Sequence, residues 1–150
     1  MFMTVLMVCV GNICRSPMAE VIMKSRAAAL GKAVRIESAG LAALTGRAAD
    51  PLAQALVKER GLDLAAHRAR QLEGTMLAEF ELVLVMEEAH RRDLERRFPA
   101  ARGRIRTLGR QGGFDVPDPY GGSRVDFERS LALIERGLGD YQKLLWGRAT

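Results

Sequence analysis

The sequence contains few cysteine, histidine and aromatic residues. Of its 150 residues, two are cysteine and two are histidine, and Phe, Trp and Tyr together make up 5%. Two cysteines in a chain of this size do not make a disulfide framework, so we expect a protein of the reducing cytoplasm. The sequence also has no CxxC pair and no second Cys/His cluster, which excludes a zinc site with the usual ligand spacing.

Long apolar runs are also missing from the sequence. None reaches the roughly 18 residues that a membrane-spanning helix needs. The N-terminal stretch MFMTVLMVCV has no basic region before it and leads into a glycine turn rather than a cleavage site. We therefore expect a buried strand there and no membrane insertion. Residues 1–150, with 48% hydrophobic residues, are long enough to form one domain with a sizeable core.

Positive charge exceeds negative charge, and much of the excess lies in residues 91–110. The formal net charge is +5, and this segment holds eight arginines against Asp93 and Glu95. One interpretation is that these arginines lie on a solvent-exposed helix face and loop. A second is that they create a positive electrostatic field that attracts an acidic partner. Because aromatic residues are few and no recognition motif accompanies the charge, we expect no nucleic-acid partner.

Short apolar runs alternate with helix-forming segments along the chain. We predict strands at residues 4–8, 33–38, 81–86 and 104–108, and helices at residues 17–30, 51–60, 74–78, 87–98 and 125–145. The strand at 33–38 alternates apolar and polar residues, so we expect it to be less buried than the first. Strands alternating with helices imply a parallel sheet covered on both faces, which binds ligands at the carboxyl ends of its strands. The stretch VCVGNICRSP, residues 8–17, lies at that end of the first strand.

The loop between the first strand and the first helix has the composition of an oxyanion site. Backbone N–H groups that curl into a helix N-terminus form an anion cradle, and Gly11 and Asn12 tolerate the backbone angles of a tight curl. Arg15, six positions after Cys9, can offer a planar fork to two oxygens of a tetrahedral anion. These donors stabilise a thiolate at Cys9, and Ser16 can donate a hydrogen bond to its sulfur. A thiolate beneath a bound phosphate is a nucleophile aimed at phosphorus.

A purely structural interpretation of the same loop is available. In it, Cys9 is a small core residue, Gly11 forms a turn and Arg15 is a surface charge. The strand before the loop and the proline-led helix after it favour the phosphate cradle. Nucleotide-binding loops fit less well, because the stretch has neither a Lys-Ser/Thr pair nor a G-x-G-x-x-G pattern.

A carboxylate on a rigid loop can supply the proton that a leaving alkoxide or phenolate needs. In VPDPYGG, residues 116–122, Asp118 stands between Pro117 and Pro119, which stiffen the backbone. Asp118 would protonate the leaving oxygen and then act as base on the water that attacks the cysteinyl phosphate. Tyr120 would offer an aromatic wall to a flat substrate ring. The structural alternative for this stretch is a turn before the last helix.

Together these residues resemble the low-molecular-weight protein tyrosine phosphatases over nearly the whole chain. The resemblance is carried by VCVGNICRSPMAE near the N-terminus, ESAG at 37–40, AAHRARQ at 65–71, LVLVME at 82–87 and DPY at 118–120. The first motif followed by DPY about a hundred residues later is a very specific combination. The resemblance implies a Rossmann-like three-layer α/β/α fold of the phosphotyrosine protein phosphatase I type, with a four-stranded parallel sheet. It also implies that no metal and no cofactor are required.

The resemblance assigns roles to individual residues. It implies that Cys9 is the nucleophile, that Arg15 binds phosphate and that Asp118 is the general acid. The phosphate-binding loop then comprises Val10, Gly11, Asn12, Ile13, Cys14, Arg15 and Ser16, and the network that holds it in shape comprises Asn12, Ser16, Ser38 and His67. Cys14 occupies the place of a second loop cysteine that forms a reversible disulfide with the nucleophile in this family. Packing of Cys14 as a small buried residue is an alternative that is compatible with that role.

Subclass and partner are also implied by resemblance. The segment SAGLAALTGRAADP, residues 38–51, is similar to bacterial members that accompany tyrosine autokinases of capsule and exopolysaccharide export. Leu44 lies near the place where eukaryotic members carry an aromatic residue, so we expect an aliphatic wall there beside Tyr120. We expect the partner to be a phosphotyrosine protein, namely the tyrosine-rich tail of a bacterial tyrosine kinase. We expect the phosphatase itself to be a monomer or weak dimer.

Two other functions are compatible with parts of the sequence. Arsenate reductases on the same scaffold relay electrons through further cysteines outside the loop, and this chain has none. A non-catalytic phosphotyrosine-binding module would keep Arg15 and the cradle but would not need both Cys9 and Asp118. Their joint presence therefore favours the enzyme.

Overall fold

Four parallel strands form the centre of the computed structural model, which describes residues 4–147. The strands are β1 (Thr4–Cys9), β2 (Arg35–Gly40), β3 (Leu82–Val85) and β4 (Ile105–Thr107), and the helices are α1 (Arg15–Ala29), α2 (Pro51–Lys58), α3 (Gly74–Glu79), α4 (Glu88–Arg97) and α5 (Arg124–Trp146). A short 3-10 helix at Pro99–Ala101 was not predicted. The strand order is β2-β1-β3-β4, and every pair is parallel. The predicted three-layer α/β/α fold is confirmed.

The two faces of β1 pack against different helices. Val5, Met7 and Cys9 share one buried cluster with residues of α1, α2 and α5, whereas Leu6 and Val8 share another with residues of α3 and α4. Successive side chains of a strand point to opposite faces, and this alternation places the apolar run of β1 in two cores at once. Cys9 is the last residue of β1, so its side chain is held at the carboxyl edge on the side of α1.

Helix α1 begins two residues before the predicted start at Pro17. Its first residue is Arg15, and Cys14 is its N-cap. Pro17 is tolerated in the first turn because the first N–H groups of a helix have no intrahelical acceptor. The helix therefore starts at the arginine of the loop and not at the proline after it.

Strand β2 lies two residues further along the chain than predicted, and its second half is more buried than expected. Arg35 is exposed, but Ser38, Ala39 and Gly40 are buried. A Cβ atom at Gly40 would lie 2.5 Å from the carbonyl oxygen of Val10, so only glycine allows this close approach. The alternation of apolar and polar residues could not reveal that the strand end packs against the loop.

Several arginines of the arginine-rich segment form ion pairs with carboxylates of the same helix, α4. On α4, Arg91 pairs with Glu88 and Glu95, and both Arg96 and Arg97 pair with Asp93. These contacts agree with the interpretation of a solvated helix face, and exposed pairs of this kind contribute little to stability. Among the helices of residues 4–147, none combines the length and the apolar character that a membrane crossing requires.

Candidate active site

The loop after β1 turns its carbonyl groups outward. The carbonyl oxygens of residues 9–13 accept hydrogen bonds from the N–H groups of Leu41 (2.9 Å), Ala42 (2.9 Å), Leu44 (3.0 Å) and Asp50 (2.8 Å) and from His67 Nε2 (2.7 Å). A trans peptide unit directs its N–H group opposite to its carbonyl, so the N–H groups of residues 11–14 point into the hollow of the loop. Within residues 4–147, none of these N–H groups donates to a backbone carbonyl. The loop is thus an anion cradle at the N-terminus of α1.

Asn12 ties the cradle together from inside. It is fully buried and has a left-handed backbone with φ of 58°, which asparagine tolerates better than most residues. Its Nδ2 donates to the hydroxyl oxygens of Ser16 at 2.8 Å and Ser38 at 3.0 Å, and its Oδ1 accepts from the N–H of Arg70 at 2.9 Å. Since His67 donates to the carbonyl of Asn12, the structure brings all four residues of the predicted network together.

Cys9 lies at the base of the cradle. Its side chain is buried, and its Sγ lies 2.9 Å from the Oγ of Ser16. Ser16 Oγ already accepts a hydrogen bond from Asn12, so its own hydroxyl hydrogen is free to be donated to the sulfur. A hydroxyl placed in this way can donate a hydrogen bond to a sulfur that carries negative charge.

The Arg15 guanidinium is buried beside the cradle, with 1% of its side chain exposed. Its Nη1 donates to Glu87 Oε2 at 2.6 Å and to the carbonyl oxygen of Val116 at 2.8 Å. Its Nη2 lies 3.7 Å from Asp118 Oδ2, and its buried Nε has no hydrogen-bond partner within residues 4–147. The edge of the guanidinium formed by Nε and Nη2 therefore has donors available for an oxyanion.

A cavity of about 160 Å³ joins the cradle to the two predicted walls and to Asp118. Its lining consists of Cys9, Val10, Gly11, Ile13, Cys14, Arg15, Ala42, Leu44, Asp118 and Tyr120. Asp118 lies at the solvent side, with 45% of its side chain exposed, and its Oδ1 accepts from the N–H of Tyr120 at 3.1 Å. The cavity can thus accommodate a tetrahedral anion at its base and a flat, largely apolar group toward its opening.

Several residues that organise the site were not assigned a role from the sequence. Glu87 binds Arg15, the backbone of Arg70 binds Asn12, and Glu20 Oε1 accepts from the Ser38 hydroxyl at 2.5 Å. Glu87 could have been found, because it follows β3, the neighbour of β1, and lies at the same carboxyl edge as Cys9. No group of three or more His, Cys, Asp or Glu side chains within residues 4–147 could hold a metal ion.

Cys14 is buried in the same loop, and both cysteines are free thiols. Burial raises the pKa of the Cys14 thiol well above its usual range, and the negative charges of Asp50, Cys9 and Asp118 raise it further. Arg15 acts in the opposite direction but does not compensate. Cys14 is therefore a protonated thiol at neutral pH.

Alkylation of the Cys9→Ser variant, which keeps only Cys14, tests this difference. A raised pKa means less thiolate at any given pH, so reaction with iodoacetamide should be at least about tenfold slower than that of a free cysteine at pH 8. The rate should also continue to rise above pH 9, where an ordinary thiol levels off at about its pKa of 8.5. The urea-unfolded variant is the control and should react at the ordinary rate. A plateau near pH 9 in the folded protein would contradict the assignment.

The fold and the loop define an α/β domain with an anion cradle and a cysteine at its base. The family "Low molecular weight phosphotyrosine protein phosphatase" matches residues 4–147. The chain is 43% identical over 138 residues, 92% of each sequence, to the probable low molecular weight protein-tyrosine-phosphatase EpsP of Ralstonia solanacearum. The chain belongs to the low molecular weight protein tyrosine phosphatase family, and the resemblance noted in its sequence is confirmed.

Solved structures agree with this classification. Vibrio vulnificus Wzb in complex with benzylphosphonate has a TM-score of 0.88 and 35% sequence identity, covering 95% of this chain and 98% of that one. A YwlE arginine phosphatase, in a Cys-to-Ser mutant with a phosphorylated active-site serine, has a TM-score of 0.89 and 32% identity, covering 95% of both chains. The predicted enzyme class, a protein tyrosine phosphatase, is confirmed by the relatives.

Proposed function

We propose that this phosphatase hydrolyses phosphotyrosine through a phosphoryl group covalently bound to Cys9. The observation that carries the proposal is one cavity in which the Cys9 sulfur, the N–H groups of the loop, the free edge of Arg15 and the Asp118 carboxyl converge. A buried sulfur below a cradle for a tetrahedral anion is placed for attack on phosphorus.

The reaction has two steps. In the first, the Cys9 thiolate attacks phosphorus, the bond from phosphorus to the phenolic oxygen breaks, and protonated Asp118 gives its proton to that oxygen. In the second, the Asp118 carboxylate takes a proton from water, the water oxygen attacks phosphorus, and the sulfur–phosphorus bond breaks. The Ser16 hydroxyl stabilises the departing thiolate, and the donors of the loop and Arg15 hold the phosphoryl oxygens throughout.

Relatives of similar structure support this scheme. Wzb binds benzylphosphonate, which combines a tetrahedral anion with an aromatic ring, as the cradle and the walls Leu44 and Tyr120 of this chain would require. The phosphorylated serine of the YwlE mutant shows that a side chain of that active site can carry a phosphoryl group covalently. By analogy, Cys9 would carry it here.

We infer that the natural substrate is the tyrosine-rich tail of a bacterial tyrosine kinase of exopolysaccharide or capsule export. The similarity to EpsP and to Wzb supports this inference. The aliphatic wall at Leu44 and the exposed Tyr120 leave an open rim around the cavity. An open rim suits a flexible segment that carries several phosphotyrosines.

Hydrolysis of three peptides of identical sequence, carrying phosphotyrosine, phosphoserine or phosphoarginine, tests the proposed reaction. Phosphate release is measured with a chelator present. We expect turnover of the phosphotyrosine peptide at the highest kcat/KM, because a long flat side chain can bring phosphorus to the buried sulfur while packing on both walls. A phosphoserine side chain is too short to reach it.

Other outcomes would identify a different function. Binding of the phosphotyrosine peptide without phosphate release would indicate a binding module. Faster hydrolysis of the phosphoarginine peptide would indicate an arginine phosphatase, and thiol-dependent reduction of arsenate without peptide hydrolysis would indicate an arsenate reductase. Loss of turnover with the chelator, restored by added metal, would contradict the metal-independent scheme.

A further inference from the structure

Glu87 is the strongest partner of the arginine that faces the phosphate. Its carboxylate lies 2.6 Å from Arg15 Nη1, and the carbonyl oxygen of Val116 lies 2.8 Å from the same nitrogen. Both hydrogens of Nη1 are thereby used, since a guanidinium Nη carries only two. The orientation of the guanidinium plane is fixed, with Nε and Nη2 left for an oxyanion.

Arg15 has a second carboxylate within reach. Asp118 Oδ2 lies 3.7 Å from Nη2, which is beyond an ordinary hydrogen bond but close enough for a small rotation to form one. When a buried guanidinium loses one carboxylate partner, a contact with another carboxylate is favoured, because an uncompensated buried charge raises the free energy of the folded state. Without Glu87, Arg15 would therefore turn toward Asp118.

We propose that Glu87 is a positioning residue for catalysis. It holds Arg15 in the orientation that receives the phosphoryl oxygens, and it keeps the 3.7 Å contact of Arg15 with Asp118 from closing into a hydrogen-bonded ion pair. The proposal rests on the proposed function, in which Arg15 binds the transferred phosphoryl group and Asp118 donates a proton. Glu87 itself does not touch the substrate in this scheme.

Hydrogen bonds on both sides of Glu87 fix its position relative to the loop that bears Asp118. The N–H of Val116 donates to the carbonyl of Met86 at 2.9 Å, and the N–H of Glu88 donates to Asp115 Oδ1 at 3.0 Å. The turn after β3 and the segment before Asp118 are thus bonded at two points. Glu87, the Val116 carbonyl and Asp118 form one frame around the guanidinium.

The other titratable groups around Glu87 do not compete with Arg15. His90 Nε2 lies 3.7 Å from Glu87 Oε2, and burial lowers the pKa of His90 below its ordinary value, with Arg15 acting in the same direction. The negative charges of Glu87, Asp115 and Asp118 only partly offset this effect. His90 is therefore neutral at pH 7, and Arg15 is the ionised partner of Glu87.

Glu87→Ala, Glu87→Gln and the matched control Glu88→Gln test the proposal. Glu88 is the next residue and also a carboxylate, but it pairs with Arg91 outside the cavity. Loss of a hydrogen bond to a buried charge should weaken competitive inhibition by inorganic phosphate roughly 10- to 100-fold in Glu87→Ala. Glu87→Gln keeps an acceptor oxygen and should show a smaller loss, whereas Glu88→Gln should stay within about twofold of wild type.

The pH profile provides a readout that a merely structural ion pair would not change. In Glu87→Ala, pairing of Arg15 with Asp118 favours the ionised carboxylate, so the acid would lose its proton at lower pH. The alkaline limb of the kcat/KM profile, which reports the free enzyme, should therefore move to lower pH, and kcat should fall as well as kcat/KM. Glu88→Gln should leave this limb in place.

Two results would overturn the proposal. Tighter phosphate binding in Glu87→Gln would mean that Glu87 acts mainly by repelling the anion. We expect the opposite, because the Glu87 side chain is 32% exposed and its charge is screened by water. A lower melting temperature with unchanged phosphate inhibition and pH profile would mean that the pair is only structural. If Glu87→Ala does not fold by circular dichroism, Glu87→Gln decides between these outcomes.

Phosphate binding to the Cys9→Ser background, measured by calorimetry, separates this inference from the proposed function. A Glu87→Gln substitution in that background should still weaken phosphate binding, whether or not Cys9 is the nucleophile. If Cys9→Ser retains turnover, the covalent mechanism fails while the positioning of Arg15 stands. If phosphate binding is unaffected by the loss of Glu87, the positioning role fails alone.

Discussion

Cys9→Ser is expected to abolish turnover of phosphotyrosine, lowering kcat/KM by a factor on the order of 10⁴ to 10⁶, as loss of a nucleophile does in other enzymes. A serine hydroxyl is not ionised at neutral pH and needs a base. The Cys9 sulfur lies 2.9 Å from the Ser16 hydroxyl, which is not a base. His67 cannot serve, because its Nε2 donates to the carbonyl of Asn12.

Phosphate release from the phosphotyrosine peptide, followed in single-turnover and steady-state conditions, measures the effect. If the serine at position 9 is phosphorylated slowly, it should remain phosphorylated, because an alkoxide leaves phosphorus far less readily than a thiolate. Intact-protein mass spectrometry would detect the trapped phosphoryl group. Cys14→Ser is the matched control in the same loop and should retain turnover, since it keeps the backbone N–H of residue 14 and the Cys14 side chain forms no bond to the substrate in this scheme. Full activity in Cys9→Ser would refute the covalent mechanism.

Much of the fold could be predicted because its central elements have strong local signals. The apolar runs that became β1 and β3 are buried on both faces, and such runs are recognisable without knowledge of the partner strands. The start of α1 and the placement of β2 could not be predicted as well. The placement of β2 depends on a contact between distant segments, the close approach of Gly40 to the carbonyl of Val10. The start of α1 was missed because proline is tolerated throughout the first turn of a helix and not only at its first residue.

In the site, too, residues with a characteristic chemistry could be predicted from the sequence, whereas contacts between distant residues could not. Cys9, Arg15 and Asp118 could be proposed from the sequence because nucleophile, anion fork and proton donor each require a particular residue type. The position of Glu87 at the same edge of the sheet could have been predicted as well, but its contact with Arg15, which is 72 positions away, could not. The bond from the Arg70 N–H to Asn12 has no residue-type signature at all, since any residue except proline could donate it.

Asp118→Asn is expected to slow hydrolysis of substrates with poor leaving groups by about 10²- to 10⁴-fold, the usual contribution of a positioned acid. Asparagine retains an Oδ1 acceptor for the N–H of Tyr120, so the loop should keep its shape. The loop is also fixed by the Ser130 hydroxyl, which donates to the carbonyl of Pro117 at 2.6 Å. What the variant lacks is the proton for the leaving oxygen.

A series of aryl phosphates with leaving groups of different pKa measures this loss. In wild type, protonation by Asp118 makes kcat/KM nearly insensitive to the leaving group, whereas Asp118→Asn should depend on it steeply. Asp115→Asn is the matched control, because asparagine can still accept from the N–H of Glu88 and Asp115 is outside the cavity. Equal losses across the series would indicate that Asp118 acts through its charge or shape, not as an acid.

The second step of the reaction gives the same variant a further, independent signature. With an activated substrate such as 4-nitrophenyl phosphate, the leaving group departs without protonation, so Cys9 should still be phosphorylated in Asp118→Asn. Hydrolysis of the phosphoenzyme would then be slow, because no carboxylate takes the proton from the attacking water. The variant should release 4-nitrophenol in a burst equal to the enzyme concentration, followed by a slow phase. A burst with the activated substrate, together with a steep leaving-group dependence, would show that one carboxylate serves as acid in the first step and as base in the second.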